Sequence, residues 1–221
     1  MPLNDQFIYT PPQGPLTFLY EDDDLIVIDK PAGLLSVPGR LPEHQDSAYL
    51  RVLEKYPYAK VTHRLDMATS GILLFAKHRD AEVAISKLFQ GRAIKKHYVA
   101  LVQGQLAGDG SIEVPLITDW PNRPKQKVDF EIGKPAKTLY QQLEYDAEQD
   151  ISRILLEPIT GRSHQLRVHL AHIGHPITGD KLYHFNPAAS LLNRLALHAS
   201  YLALTHPLQG HHLVLESAVP F

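Results

Sequence analysis

The run GILLFAK at residues 71–77 constrains the fold more than any other stretch of the chain. It is apolar without alternation and has the length of a strand rather than a helix, so it reads as a buried strand in a covered sheet. The chain around it is built largely from further strand-like runs with short links. LTFLYEDDDLIVIDKP (16–31) reads as a hairpin around an acidic turn, ended by Pro31-Ala32-Gly33. IKKHYVALVQG (94–104) and GSIEVPL (110–116) read as strands. KTLYQQLEYD (137–146) and ISRILLEPI (151–159) form a hairpin around a polar turn, and LALHASYLAL and HHLVLES give a last strand pair. Helical spacing interrupts this series. SAYLRVLEKY (47–56) has Ser47 as its N-cap, and a second helix runs from a capping Asp80 to about residue 90, with Gly91 at its end. TGRSHQLRVHLAHIGHP (160–176) is a turn followed by a helix over 163–173, capped by Thr160 or Ser163 and stopped by Gly174 and Pro176. Its apolar stripe is Leu166, Leu170 and Ile173. Pro187–Arg194 reads as a short helix; residues 36–47 and the Pro-rich basic stretch 117–127 read as loops. The pattern predicts an α+β fold, with one mixed, mainly antiparallel β-sheet and a few covering helices. It forms a single domain over residues 16–221, preceded by an extended arm, 1–15, that carries four prolines.

The 221 residues are ordinary in composition, 44% hydrophobic and 21% charged. No apolar run has the roughly 18 residues of a membrane span, and the start, MPLNDQFIYT, lacks the order of a signal peptide. There is no cysteine, which excludes disulfides, thiolate nucleophiles and sulfur-ligated zinc and fits the cytoplasm. The formal net charge of −2 conceals an uneven distribution. Acids gather in YEDDD (20–24) and EYDAEQD (144–150), whereas bases gather in GRAIKKHY (91–98), NRPKQK (122–127) and around Arg162 and Arg167. A neutral average of this kind can hide a basic face.

Asp66 lies in HRLDMATSG, a loop of turn formers at the mouth of the buried strand, with Arg64 two residues before it. Loops at strand ends are where a rigid scaffold presents reactive groups, although an Asp in such a loop also serves as a turn cap. ATSG is not a nucleophile elbow, because G-x-S-x-G would require Gly at Ala68. At helical spacing Arg167 shares a face with His164 and Ala171, away from the apolar stripe. A guanidinium near a helix start opposes the positive helix terminus, and a buried carboxylate would explain it there. The histidines at 164, 169, 172 and 175 match no metal-ligand pattern, so no metal is expected. Tyr98 stands among Arg92, Lys95, Lys96 and His97, an aromatic among cations suited to base stacking beside phosphate contacts.

Three segments together resemble the RluA family of RNA pseudouridine synthases: LYEDDDLIVIDKPAGLLSVPG (19–39), HRLDMATSGILLFAK (63–77) and RILLEPITGRSHQLRVHLAHIGHPITGDKLY (153–183). The late LALHASYLALTHPLQG (195–210) also fits, and the likeness covers nearly the whole chain. The strand pattern starts by residue 16, so no additional S4-like RNA-binding module is expected, and the chain is most similar to compact members acting on both ribosomal and transfer RNA. The resemblance implies a catalytic Asp66, a stacking Tyr98, Arg167 as the basic partner of the Asp, and Arg64 entering the space left by a flipped nucleotide. Lys95, Lys96 and Arg162 are then RNA contacts. DKPAG (29–33) is expected to be mainly structural, and Lys30 takes no catalytic role.

Uridine becomes pseudouridine when N1–C1′ breaks, the uracil turns, and C5 bonds to C1′. No cofactor is expected, since the reaction needs neither redox change nor an external group. The base must leave its stack. A carboxylate stabilises the positive charge that develops on the sugar, whether by attack at C1′ or by removing the C2′ proton. A bidentate Arg167 would hold Asp66 ionised and oriented. The partners expected are ribosomal and transfer RNA stem-loops, with the protein a monomer. Two rival readings of the same residues are a glycoside hydrolase pairing Asp66 with Glu157 or Asp180, and a non-catalytic RNA-binding module.

Overall fold

The structure is a computed structural model and describes residues 8–184 and 192–221. Strands β1 (Thr17–Glu21) and β2 (Leu25–Lys30) form the expected hairpin. Its turn is tightened by the Asp22 carboxylate, which accepts the Asp24 and Leu25 N–H groups. After helix α1 (Ala48–Lys55) a two-residue strand, β3 (Lys60–Val61), leads through the HRLD loop into β4 (Ser70–Ala76), every residue of which is buried. Helix α2 (Arg79–Gln90) and strands β5 (Lys95–Gln103) and β6 (Asp109–Ile112) follow. Strands β9 (Thr138–Asp146) and β10 (Ile151–Pro158), helix α3 (Gln165–His172), and strands β11 (Leu197–Thr205) and β12 (His212–Glu216) complete the chain's long elements. The basic stretch expected as loop contains a small hairpin instead, β7 (Leu116–Thr118) with β8 (Gln126–Val128), around a 3₁₀ turn at Trp120–Asn122. Strands of three residues are too short for periodicity to reveal. Of the helix expected at Pro187–Arg194, residues 187–191 lie outside the described residues.

One ten-stranded sheet runs in the order β1-β2-β4-β11-β5-β10-β9-β6, with β3 also paired to β4 and β12 to β11. Every pairing within it is antiparallel except β4 with β11, which touch in parallel only at Ser70–His198 and Gly71–Ala199. Beyond that contact β4 turns to β3 and β11 to β12, so the sheet forks one step past the HRLD loop. Gly71, at φ +110°, makes the close approach possible: a Cβ there would lie 2.3 Å from the Ala199 carbonyl oxygen. On one side of the sheet α2 covers a core of Leu25, Val27, Leu74 and Ile85. On the other, α1 covers Ile26, Ile28, Leu73 and Phe75, so β2 and β4 are apolar on both faces.

The helix starts depart in detail from expectation. Ser47 caps α1, its hydroxyl accepting the Leu50 N–H. Helix α2 is capped by the His78 ring, which accepts the Ala81 N–H; Asp80 sits inside the first turn, where its charge suits the helix dipole. Helix α3 has no side-chain cap from Thr160 or Ser163. The side chain of its first residue, Gln165, instead ties down the turn that precedes it: its Oε1 accepts from Arg162 N–H and the Thr160 hydroxyl, and its Nε2 donates to Lys137 O and Thr138 Oγ1. His164 can then take a left-handed conformation, at φ 53°, and swing its ring toward Asp66.

Candidate active site

The HRLD loop is pinned from behind by the segment that follows β2. Ser36 Oγ donates to Leu65 O and accepts from Leu65 N, and Gly33 N donates to Met67 O. The Lys30 ammonium, fully buried, donates to the carbonyls of Pro31, Leu34 and Met67 at 2.7–3.1 Å. Three acceptors match the three N–H bonds of an ammonium. Burial pulls its pKa down to about 7, opposed by the nearby Asp66 charge. Within the loop, Thr69 N closes a turn on Asp66 O, and the Leu74 N–H is accepted by His63 Nε2. The turn holds the Asp66 side chain at the surface, 27% exposed, while its neighbour Leu65 is buried.

Helix α3 presents Arg167 to this carboxylate. The guanidinium is almost wholly buried, and Nη1 donates to Asp66 Oδ2 at 3.1 Å. The bidentate fork expected on Asp66 is instead on Asp180: Nε and Nη2 donate to its two oxygens at 2.7 and 2.8 Å. Asp180 takes the fork because it is itself fixed and has no solvent exposure. It also accepts Leu182 N and Tyr183 N, and the preceding loop is bonded to β5 through Gln103 N to Pro176 O and Thr178 N to Leu101 O. Burial opposes the Arg167 charge, but both carboxylates hold the guanidinium firmly protonated. Arg167 thus spends its geometric precision on Asp180 and offers Asp66 one charged donor.

His164 and Tyr183 complete the wall. The Tyr183 hydroxyl accepts Gln126 N at 2.8 Å and lies 2.7 Å from His164 Nδ1. His164 Nε2 lies 3.9 Å from Asp66 Oδ2. Burial lowers the His164 pKa against the pull of Asp66. The Tyr183 ring lies 5.1 Å beneath the Arg167 guanidinium. Tyr98, on β5, packs against the core cluster that holds Leu156, as Ala68 of the loop also does, and pairs with Leu156 and Ala199 on its neighbouring strands. Burial and the Asp66 charge both raise its pKa, so its hydroxyl stays protonated.

The fold therefore brings together Asp66, Arg167 and Tyr98. Arg64 is exposed on the same loop and has no hydrogen bond or ion pair among the described residues. The other predicted basic contacts are dispersed. Lys95 is exposed but its odd spacing from Tyr98 on β5 puts it on the opposite face. Lys96 is half-buried, with its ammonium 5.6 Å from the Phe89 ring. Arg162 is exposed and donates to Pro135 O. The sequence pointed to Asp180 only as a partner carboxylate in the glycoside hydrolase reading, and did not point to Tyr183 or Gln165 at all. The first two stand in TGDKLY (178–183), and a lone Asp beside a tight glycine turn was the available signal.

Of the carboxylates in the glycoside hydrolase reading, Asp180 is saturated by four donors and not free to act as an acid, while Glu157 lies on β10 with its carboxylate 3.8 Å from His97. Among the described residues one cluster has metal-like spacing, Asp22, Asp24 and His206, with donor atoms within 4.8 Å of one another. His206 Nδ1 accepts from Gln209 N at 3.0 Å, so the ring proton sits on Nε2, 3.0 Å from Asp22 Oδ2.

The architecture is that of the pseudouridine synthases. The human RNA pseudouridylate synthase domain containing 1 superposes with a TM-score of 0.79 at 27% identity, over 96% of this chain and 87% of that one. The human domain containing 4 does so with a TM-score of 0.73 at 26% identity, over 92% and 88%. The family model described as RNA pseudouridylate synthase matches residues 24–172, and the chain belongs to that family, as an isomerase acting on uridine in RNA. The chain is 50% identical over 215 residues to the dual-specificity RNA pseudouridine synthase RluA of Escherichia coli strain K12, covering 96% of this chain and 98% of that protein. For the protein of the same name from Vibrio parahaemolyticus, identity is 51% over 204 residues, covering 90% and 82%.

Proposed function

We propose that the chain isomerises uridines in both a ribosomal RNA hairpin and a transfer RNA anticodon stem-loop, with Asp66 as the catalytic carboxylate. The observation that carries the roles is Asp66 itself, open to solvent on one side and paired on the other with a buried guanidinium that Asp180 immobilises. The double target rests on the likeness to the dual-specificity relatives.

Arg64, exposed beside Asp66, enters the helix stack as the uridine leaves it. The ionised Asp66 faces C1′ as N1–C1′ breaks and the sugar becomes positive. Tyr98 stacks on the detached uracil while it turns. C5 then bonds to C1′, the hydrogen on C5 leaves as a proton, and N1 takes one up, so the product has the mass of the substrate. His164, whose Nε2 stands 3.9 Å from Asp66 Oδ2, flanks the carboxylate on its other side as charge redistributes. No step calls for a metal, and one chain carries all these groups; a cytoplasmic monomer is the form in which we expect the enzyme to work.

Mapping pseudouridine by chemical derivatisation in RNA from a strain lacking the gene tests the reading. Loss of the modification at one ribosomal and one transfer RNA position, restored by the wild-type gene and not by Asp66→Ala, is expected. Loss in only one RNA class would remove the double target, and an unchanged map would remove the activity.

A further inference from the structure

The basic hairpin β7–β8 is unused by the site described so far. Its inner side is fixed to the catalytic centre. Leu116 and Val128 pack against Val168 of α3 and against Tyr183, and Gln126 N donates to the Tyr183 hydroxyl that touches His164. Three contacts therefore lead from Asp66 to β8: His164, Tyr183, Gln126. Its outer tip is held in shape by its own bonds, Asp119 N to Lys125 O and Lys125 N to Asn122 O, with the Asp119 carboxylate accepting from Asn122 Nδ2.

That tip exposes an aromatic that a soluble surface would otherwise hide. Trp120 is 66% exposed, and the exposed Arg123 guanidinium sits 4.5 Å from its ring centroid. One face of the indole is thus occupied by a cation and the other is open. From Trp120 to Lys127 the chain carries Arg123, Lys125 and Lys127 and no acid; the nearest acids are Asp119, bonded to Asn122, and Asp129, 3.6 Å from Lys127. A rigid indole with a free face, backed by guanidinium and flanked by ammonium groups, matches an unpaired nucleobase with its phosphates. Phe130 and Ile132, also exposed just past β8, add apolar surface beside the tip, but the cations gather on the tip itself.

We propose that Trp120 and Arg123 form an RNA subsite that stacks on an unpaired base of the substrate loop beside the flipped uridine, with Lys125 and Lys127 on the adjoining phosphates. The subsite rests on the RNA-modifying function, and it deepens that reading by assigning recognition of the loop to a residue outside the reacting centre.

Trp120 is the only tryptophan in the chain, so its emission reports on this point alone. The experiment titrates Asp66→Asn protein, which prevents turnover, with an anticodon stem-loop RNA. Binding is followed in parallel by anisotropy of the labelled RNA. The emission should be quenched and should saturate with the anisotropy, whereas a fully paired duplex of equal length should bind and leave it nearly unchanged. Trp120→Ala should weaken stem-loop binding on the order of 5- to 100-fold, since a stacked base contributes roughly 1–3 kcal/mol, while Trp120→Phe should keep most of the affinity. A shared far-UV spectrum and urea midpoint certify that the variants fold. Unchanged emission at saturating RNA, or Trp120→Ala binding within twofold of wild type, overturns the subsite. So does self-association that Trp120→Ala abolishes, which would assign the tip to a second copy of the chain. The wild-type enzyme's release of tritium from uridine labelled at C5 is measured separately, so failure of the activity and failure of the subsite are told apart.

Discussion

Replacing Asp180 by Asn isolates the device that aims Arg167. The two side chains have nearly the same shape, but Asn has one acceptor oxygen, where Asp180 now accepts four N–H donors, two of them from a guanidinium. Its NH₂ group must face either Arg167 Nε, or Arg167 Nη2 together with the Leu182 and Tyr183 amides, donor against donor. The exposures of the two side chains are 6% for Arg167 and 0% for Asp180, so solvent relieves neither partner. Breaking a buried pair from one side costs about 3–5 kcal/mol. With a urea dependence of about 2–3 kcal/mol per molar, the unfolding midpoint should fall by roughly 1–2 M. Arg167 would lose its anchor, and an ångström of misplacement costs on the order of 100-fold in rate. Single-turnover tritium release should show that loss in the rate at saturating RNA, while RNA affinity measured by filter binding stays within a few-fold, because Asp180 touches no RNA. A stable Asp180→Asn protein with near wild-type rate would falsify the claim that Asp180 positions the catalytic pair.

Three further expectations follow from named contacts. His169 is buried, donates Nε2–H to Val114 O and has no partner for Nδ1, and burial lowers its pKa to about 4. The unfolded chain takes up a proton below pH 6.5 and the folded chain resists, so stability is complete above that value and falls as pH drops toward 4, by about 2 kcal/mol at pH 5 from this residue. Urea midpoints at pH 7.5 and 5.0 should differ less in His169→Leu than in wild type; an equal difference would show that His169 is not the titrating group. Gly71→Ala should lose the parallel contact of β4 with β11, because the new Cβ meets three backbone atoms of Ala199 within 2.8 Å at a φ unfavourable to alanine; soluble, wild-type-like protein with full activity would contradict it. Tyr98→Leu should lose far more in turnover than in RNA affinity, since backbone contacts supply most of the affinity while the ring acts on one base; a variant that fails to bind RNA at any concentration would refute its assigned role.

The sheet was legible because its strands are long and apolar. GILLFAK forms β4, and the flanking hairpins pair as their turns suggested. What escaped were elements whose signal is shorter than a period: the two-residue β3 and the three-residue strands β7 and β8. The caps were misread at two helices: His78 takes the Ala81 N–H two residues ahead of the expected Asp80, and α3 starts at a left-handed His164 with no side-chain cap from Thr160 or Ser163. In the site, the awkward position of Arg167 at a helix start correctly announced a buried carboxylate. Sequence could not tell which one takes the fork, because that depends on the return of residues 176–180 across β5, a tertiary contact without local signature. Lys30 was read as structural, and its three carbonyl partners supply the support, one of them on the HRLD loop itself.

The central claim is that the charge of Asp66 performs the chemistry. Forming the C5–C1′ bond expels the hydrogen on C5, so stem-loop RNA tritiated there releases it to water once per turnover. Asp66→Asn keeps the shape, and its amide oxygen can still accept the Arg167 Nη1 donor, but it removes the charge. The account predicts no tritium release above background from Asp66→Asn, with RNA affinity preserved because phosphate and aromatic contacts position the substrate. Folded Asp66→Asn protein that releases tritium at near the wild-type rate would contradict it and reduce the HRLD loop to a structural turn.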